Sequence, residues 1–89
     1  MKAPLRRLHH DGHPYRWQAR PVPSPGHRIL RLRIFGAGKT GRALQVDLPQ
    51  PPGRYDHPSA DDVRELIARG LAAGWDPHAR GGTFPLPPP

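Results

Sequence analysis

The chain has 89 residues, no cysteine, 14 prolines, 10 glycines and a formal net charge of +7. That length makes one small domain, at the size where a single core only just suffices, and the lack of cysteine removes any disulfide scaffold or thiolate zinc site. No run approaches the roughly 18 apolar residues of a membrane span, and the basic N-terminus has no apolar signal core, so a soluble, non-secreted protein with no membrane partner is expected.

The charge is unevenly placed. Residues 1–42 hold ten Lys or Arg against Asp11 alone, a local charge of +9, whereas residues 43–89 hold four Arg against six acids, −2. Basicity gathered in one half invites an anionic partner there. Arginine outnumbers lysine twelve to two, however, amid abundant Ala, Gly and Pro, a composition that GC-rich coding also produces. Charge alone therefore does not identify nucleic acid as the partner.

Residues 1–12 show no apolar periodicity and read as a flexible basic arm, residues 13–86 as a single α+β domain and residues 87–89 as a polyproline tail. His9, His10 and His13 are close in sequence, but a metal site needs fixed geometry and a supporting shell, and no carboxylate is aimed at them. A solvated His-rich arm without metal is expected. In His13–Arg20, Tyr15, Trp17 and Ala19 alternate with Arg16, Gln18 and Arg20, the period of a half-buried strand. The prolines of residues 21–26 are expected to end it in a stiff loop.

Arg28–Phe35 is the clearest strand, with Leu30, Leu32 and Ile34 on one face and Ile29, Arg31, Arg33 and Phe35 on the other. Residues 36–41 form a glycine-rich turn. Arg42–Leu48 alternates again, with Leu44, Val46 and Leu48 inward and Ala43, Gln45 and Asp47 outward, so the two runs read as an antiparallel hairpin. The turn itself, Gly36-Ala37-Gly38-Lys39-Thr40-Gly41, fits G-x-G-x-x-G and echoes a P-loop. A dinucleotide site needs a helix opening at the third glycine, yet a strand pattern follows, and Arg33 stands where a P-loop requires its first glycine. No nucleotide cofactor is inferred from it.

Residues 58–77 carry the one complete helix. Ser59 is the N-cap, Asp61 and Asp62 suit the first turn, and Asp62 has the capping-box spacing. Val63, Leu66, Ile67, Gly70 and Leu71 form one stripe, Gly74 and Trp75 supply a left-handed cap with its hydrophobic contact, and Pro77 forbids continuation. Thr83–Leu86 is expected as a short edge strand anchored by Phe84. Pro85–Pro88 matches P-x-x-P but reads as a solvated terminus. The fold class is thus α+β, a small antiparallel sheet of three to four strands in β-β-β-α-β order with one helix on one face. Its expected core is Trp17, Leu30, Leu32, Ile34, Leu44, Val46, Val63, Leu66, Ile67, Leu71, Trp75 and Phe84.

Tyr15-Arg16-Trp17, Val46-Asp47-Leu48-Pro49 and the ending Gly70-Leu71-Ala72-Ala73-Gly74-Trp75-Asp76-Pro77 with Gly82 and Phe84 resemble a group of small uncharacterised bacterial proteins whose ends read GWxP…G..F.L. The resemblance is densest over residues 70–86. It implies a small α+β domain in the bacterial cytoplasm and carries no activity, cofactor or catalytic residue.

Catalysis finds no foothold in the sequence. A nucleophile needs a base within reach; Ser24 sits among prolines, Ser59 is a cap, and His57 lies in a loop beside Asp56. Asp61 and Asp62 are explained by the helix start. The expectation is a non-enzymatic module without cofactor or small-molecule substrate. Protein–protein association, including self-association, is the first reading, motivated by exposed sheet edges and a mixed basic and apolar far face. Nucleic-acid binding through Arg16, Arg20, Arg31 and Arg33 on that face is the second. Solvated arginines covering Ile29 and Phe35 with their stems account for the same pattern.

Overall fold

The computed structural model describes residues 5–38, 40–50 and 58–87. Six elements follow one another: β1 (Arg6–His10), β2 (His13–Ser24), β3 (His27–Phe35), β4 (Ala43–Gln50), α1 (Ala60–Ala72) and β5 (Thr83–Leu86). They build one five-stranded sheet in sequential order with the helix on one side. The α+β class holds, with more strands than the alternation alone suggests.

Three expectations are corrected. Arg6–His10 is an edge strand, where a flexible arm was expected. Asp11 and Gly12 have φ 51° and 75°, the left-handed pair of a two-residue type I′ hairpin, and set Leu8 opposite Tyr15. Second, β2 does not stop at Pro21. It pairs with β3 as far as Ser24↔His27, and Pro25-Gly26 makes the turn, with Gly26 at φ 78° as a type II turn requires. Pro21 and Pro23 are tolerated because β1 pairs only with residues 13–17, leaving the other edge of residues 18–24 without a neighbour among the described residues that would need their N–H. Third, the sheet is mixed, because β5 runs parallel to β4, with Leu44↔Phe84 and Val46↔Leu86 in register. A parallel return requires a long crossover, and the stretch containing α1 supplies it.

The glycine-rich turn joins β3 to β4 as an antiparallel hairpin, so no helix opens at its third glycine. Gly36 is required by space: a Cβ there would stand 2.8 Å from both Pro77 Cβ and Tyr15 Cε1. Lys39 lies outside the described residues, as do Met1–Pro4 of the expected arm, the loop of residues 51–57 with Tyr55, Asp56 and His57, and Pro88 and Pro89 of the tail.

The core lies between helix and sheet. Leu30, Leu32, Ile34, Leu44, Val46, Val63 and Ile67 are fully buried, with Leu8, Tyr15, Trp17, Leu66, Trp75 and Leu86 around them. Leu71, expected inside, is 39% exposed because it lies at the end of the stripe, beyond the sheet's cover. Phe84 is half-buried against the core, and Leu86 is the buried anchor of β5.

The helix ends as its sequence dictates. The Ser59 hydroxyl accepts from the Asp62 N–H at 3.1 Å while the Asp62 carboxylate accepts from the Ser59 N–H at 3.0 Å, a complete capping box. At the other end Trp75 N–H donates to the Gly70 carbonyl (2.9 Å) and Gly74 N–H to that of Leu71 (3.2 Å), the Schellman pair, with Gly74 at φ 108°. The Trp75 indole N–H donates to the Arg42 carbonyl at 2.9 Å, so the helix cap is tied to the start of β4. Three residues of the resemblance noted above thus have a structural reason: Gly70 leaves no room for a Cβ beside Leu44, Gly74 takes the left-handed cap and Trp75 ties that cap to β4.

Candidate functional site

Residues directly opposite in a sheet share a face, so the register alone lays out the surface away from the helix. Four of its cross-strand rows each join three strands. The first is Arg7, Arg16 and Phe35 and the second Gln18, Arg33 and Gln45. The third is Arg20, Arg31 and Asp47, and the fourth Val22, Ile29 and Pro49. No described element covers these rows, since the buried residues of α1 all belong to the core on the opposite side.

The four arginines expected on this surface are brought together there, but they are not equivalent. The Arg31 guanidinium donates twice to the Asp47 carboxylate, Nε to Oδ1 at 2.8 Å and an Nη to Oδ2 at 3.1 Å. With both side chains about one-third exposed, at 30% and 35%, this bidentate pair gains more from geometry than a loose surface bridge. The hydrogen bond to Asp47, ahead of the opposing cost of burial, raises the affinity of Arg31 for its proton. Arg33 donates to Thr83 Oγ1 at 3.2 Å and lies 5.6 Å from the Phe35 ring centroid, while its Nε is buried without a hydrogen-bond partner among the described residues. Arg31 and Arg33 are thus partly engaged in holding β3 to its neighbours.

Arg16 and Arg20 are different. Both are exposed, and neither has a hydrogen bond or ion pair among the described residues. Arg16 stands opposite Arg7, a residue that alternation over residues 13–35 could not place and which also has no partner. Like charges directly opposed on neighbouring strands are destabilising. Asp47 is the one acid among the described residues of these rows, and it is occupied by Arg31.

The sheet edges offer less. β1 is five residues long, and its His9 carbonyl accepts from Arg64 Nε of the helix at 2.8 Å. β5 is four residues long and contains Pro85. Short, proline-bearing or tied-off edges resist pairing with another chain. Elsewhere, His13 Nε2 is 2.7 Å from the Gly36 carbonyl oxygen, and its ring packs near Tyr15 and His78 at centroid distances of 4.7 and 5.7 Å. Burial, and then the nearby Asp11 charge, raise the Tyr15 phenol above its ordinary value. The histidines of β1 and β2 are placed on strands. Among the described residues no group of three or more His, Asp or Glu is arranged to hold a metal, and no helix is long and apolar enough to cross a membrane.

The chain matches no family model, no curated protein and no solved structure. Function therefore has to be argued from the surface itself.

Proposed function

We propose that this chain is a non-enzymatic binding module whose uncovered sheet face takes a nucleic-acid strand, with phosphates on the arginine rows. The carrying observation is the pair Arg7 and Arg16, opposed across β1 and β2 without a counter-charge among the described residues. A phosphate between two guanidiniums turns that repulsion into two charge-assisted contacts. Exposed Arg20, one row away from Gln18 and Gln45, extends the same strip, and Phe35 at its end offers a ring on which a base can stack. An open sheet with basic and aromatic side chains suits single strands better than duplex, because unstacked bases reach a flat surface that a groove would hide.

The test is an anisotropy titration of labelled single-stranded and duplex oligonucleotides at several salt concentrations. Binding that is tighter for single strands and weakens with salt is expected. No binding at low salt, or binding that Arg16→Ala and Arg20→Ala leave unchanged, rejects the reading.

A protein partner is the second reading, supported by the row Val22, Ile29 and Pro49, which sets an apolar strip beside the basic ones. An acidic protein surface with an apolar rim fits that combination, including a second copy of the chain. Here the uncharged change Ile29→Ser weakens association while nucleic-acid affinity stays, and sedimentation of the purified chain reads self-association directly.

A further inference from the structure

At the β1 end of the basic face the surface closes into a pocket of about 340 Å³, within the range of small-ligand sites. Arg7, His9, Arg16 and Phe35 are among its lining residues, together with residues 36–38, which follow Phe35 beyond the row and act as its wall. The wall is fixed. The Gly36 carbonyl is engaged by the His13 ring at 2.7 Å, and Gly36 packs so closely on Tyr15 and Pro77 that no side chain fits. The row Arg7, Arg16, Phe35 crosses three adjacent strands at about 4.5–5.5 Å per step, so two arginine side chains and an aromatic one start from neighbouring positions on one face.

We propose that this pocket binds a phosphate monoester carried next to a planar ring, the phosphate between Arg7 and Arg16 and the ring against Phe35. The assignment rests on the nucleic-acid reading above and deepens it, making this end of the face a receptor for a terminal nucleotide. A phosphodiester inside a chain must pass onward, and the wall at Gly36–Gly38 stands in its way. A terminal phosphate can stop there, and its extra negative charge matches two unpartnered arginines. Arg33 lies 5.6 Å from the Phe35 centroid and makes that ring a stronger platform for an electron-rich base edge or face. The same chemistry is available from a free mononucleotide.

The experiment compares single-stranded oligonucleotides of one sequence bearing a 5′-phosphate, a 3′-phosphate or neither, with adenosine monophosphate and inorganic phosphate as competitors. A terminal phosphate is expected to tighten binding roughly ten-fold, the scale of one good charge-assisted contact. That increment should vanish in Arg7→Ala, so that the phosphorylated and unphosphorylated strands bind this variant alike, both more weakly than the unphosphorylated strand binds the unaltered chain. Competition by the mononucleotide at concentrations where inorganic phosphate has no effect supports the ring subsite and points to the free ligand as source. If all three strands bind alike and the mononucleotide does not compete, the pocket assignment is overturned and the face reading stands. If no strand binds and the mononucleotide moves no amide resonance at Gly36–Gly38, both are overturned. Arg7 is exposed, so unchanged thermal melting of Arg7→Ala shows that any loss is a loss of contact.

Discussion

The two faces of the sheet are built from alternate residues of the same strands and obey opposite rules. On β3, Leu30, Leu32 and Ile34 are fully buried under the helix, while Ile29, Arg31, Arg33 and Phe35 between them stay at least partly in solvent. The inner face is saturated: its polar neighbours are capped or bonded, and its glycines sit where a side chain would collide. The outer face is different, with opposed arginines and, among the described residues of its rows, one acid to serve them. A domain this small has little stability to spare, so the opposed arginines are where the proposed partner would relieve most.

The largest expected break in this contrast is Leu32→Ala. It empties a fully buried site and costs about 2–5 kcal/mol, a large share of a small domain's stability. Urea unfolding should show the midpoint fall sharply. Gly70→Ala comes next. A Cβ there would lie 2.7 and 2.9 Å from the Leu44 methyls and 3.3 Å from Trp75 Cε3. Leu44 is fully buried and cannot swing away, so overpacking of about 1–3 kcal/mol outweighs the roughly 1 kcal/mol gained in helix propensity. A net loss is expected in the same assay.

A third prediction uses pH. Tyr15 is buried on the inner face, where desolvation first and Asp11 second hold its phenol above the usual value of 10.0. In the unfolded chain the phenol ionises at its ordinary value. Stability is therefore complete below about pH 10 and falls as pH rises through the raised native value. Tyr15→Phe should flatten that alkaline limb. The smallest effect is Arg20→Gln, which relieves repulsion toward Arg31 and should leave the unfolding midpoint within about 0.5 kcal/mol. A large loss there would erase the distinction between the faces.

The strong strand Arg28–Phe35, its hairpin to β4 and the helix with both caps were legible, because each carries its whole signal within a dozen residues. β1 was missed although Asp11-Gly12 is a strong local hairpin sign; the surrounding Arg6–His10 has a single core residue, Leu8, and so no visible period. Pro21 and Pro23 misled for a different reason. A proline ends a strand only where a neighbour needs its N–H, and neighbours are a tertiary fact. The direction of β5 likewise depends on the crossover, which local pattern does not encode. Of the site, the four arginines were placed on one face correctly, since alternation suffices for that. That Asp47 engages Arg31, that Thr83 engages Arg33 and that Arg7 completes the pair with Arg16 became apparent only from register across strands distant in sequence.

The salt dependence of single-strand binding decides whether the outer face neutralises phosphates. For the unaltered chain, affinity should fall linearly with salt on logarithmic axes. Removing Arg16 and Arg20 together should reduce that slope by about 1.4, two contacts at roughly 0.7 each, with the melting transition unchanged. Affinity independent of salt, or a slope that the double substitution does not alter, would contradict the account.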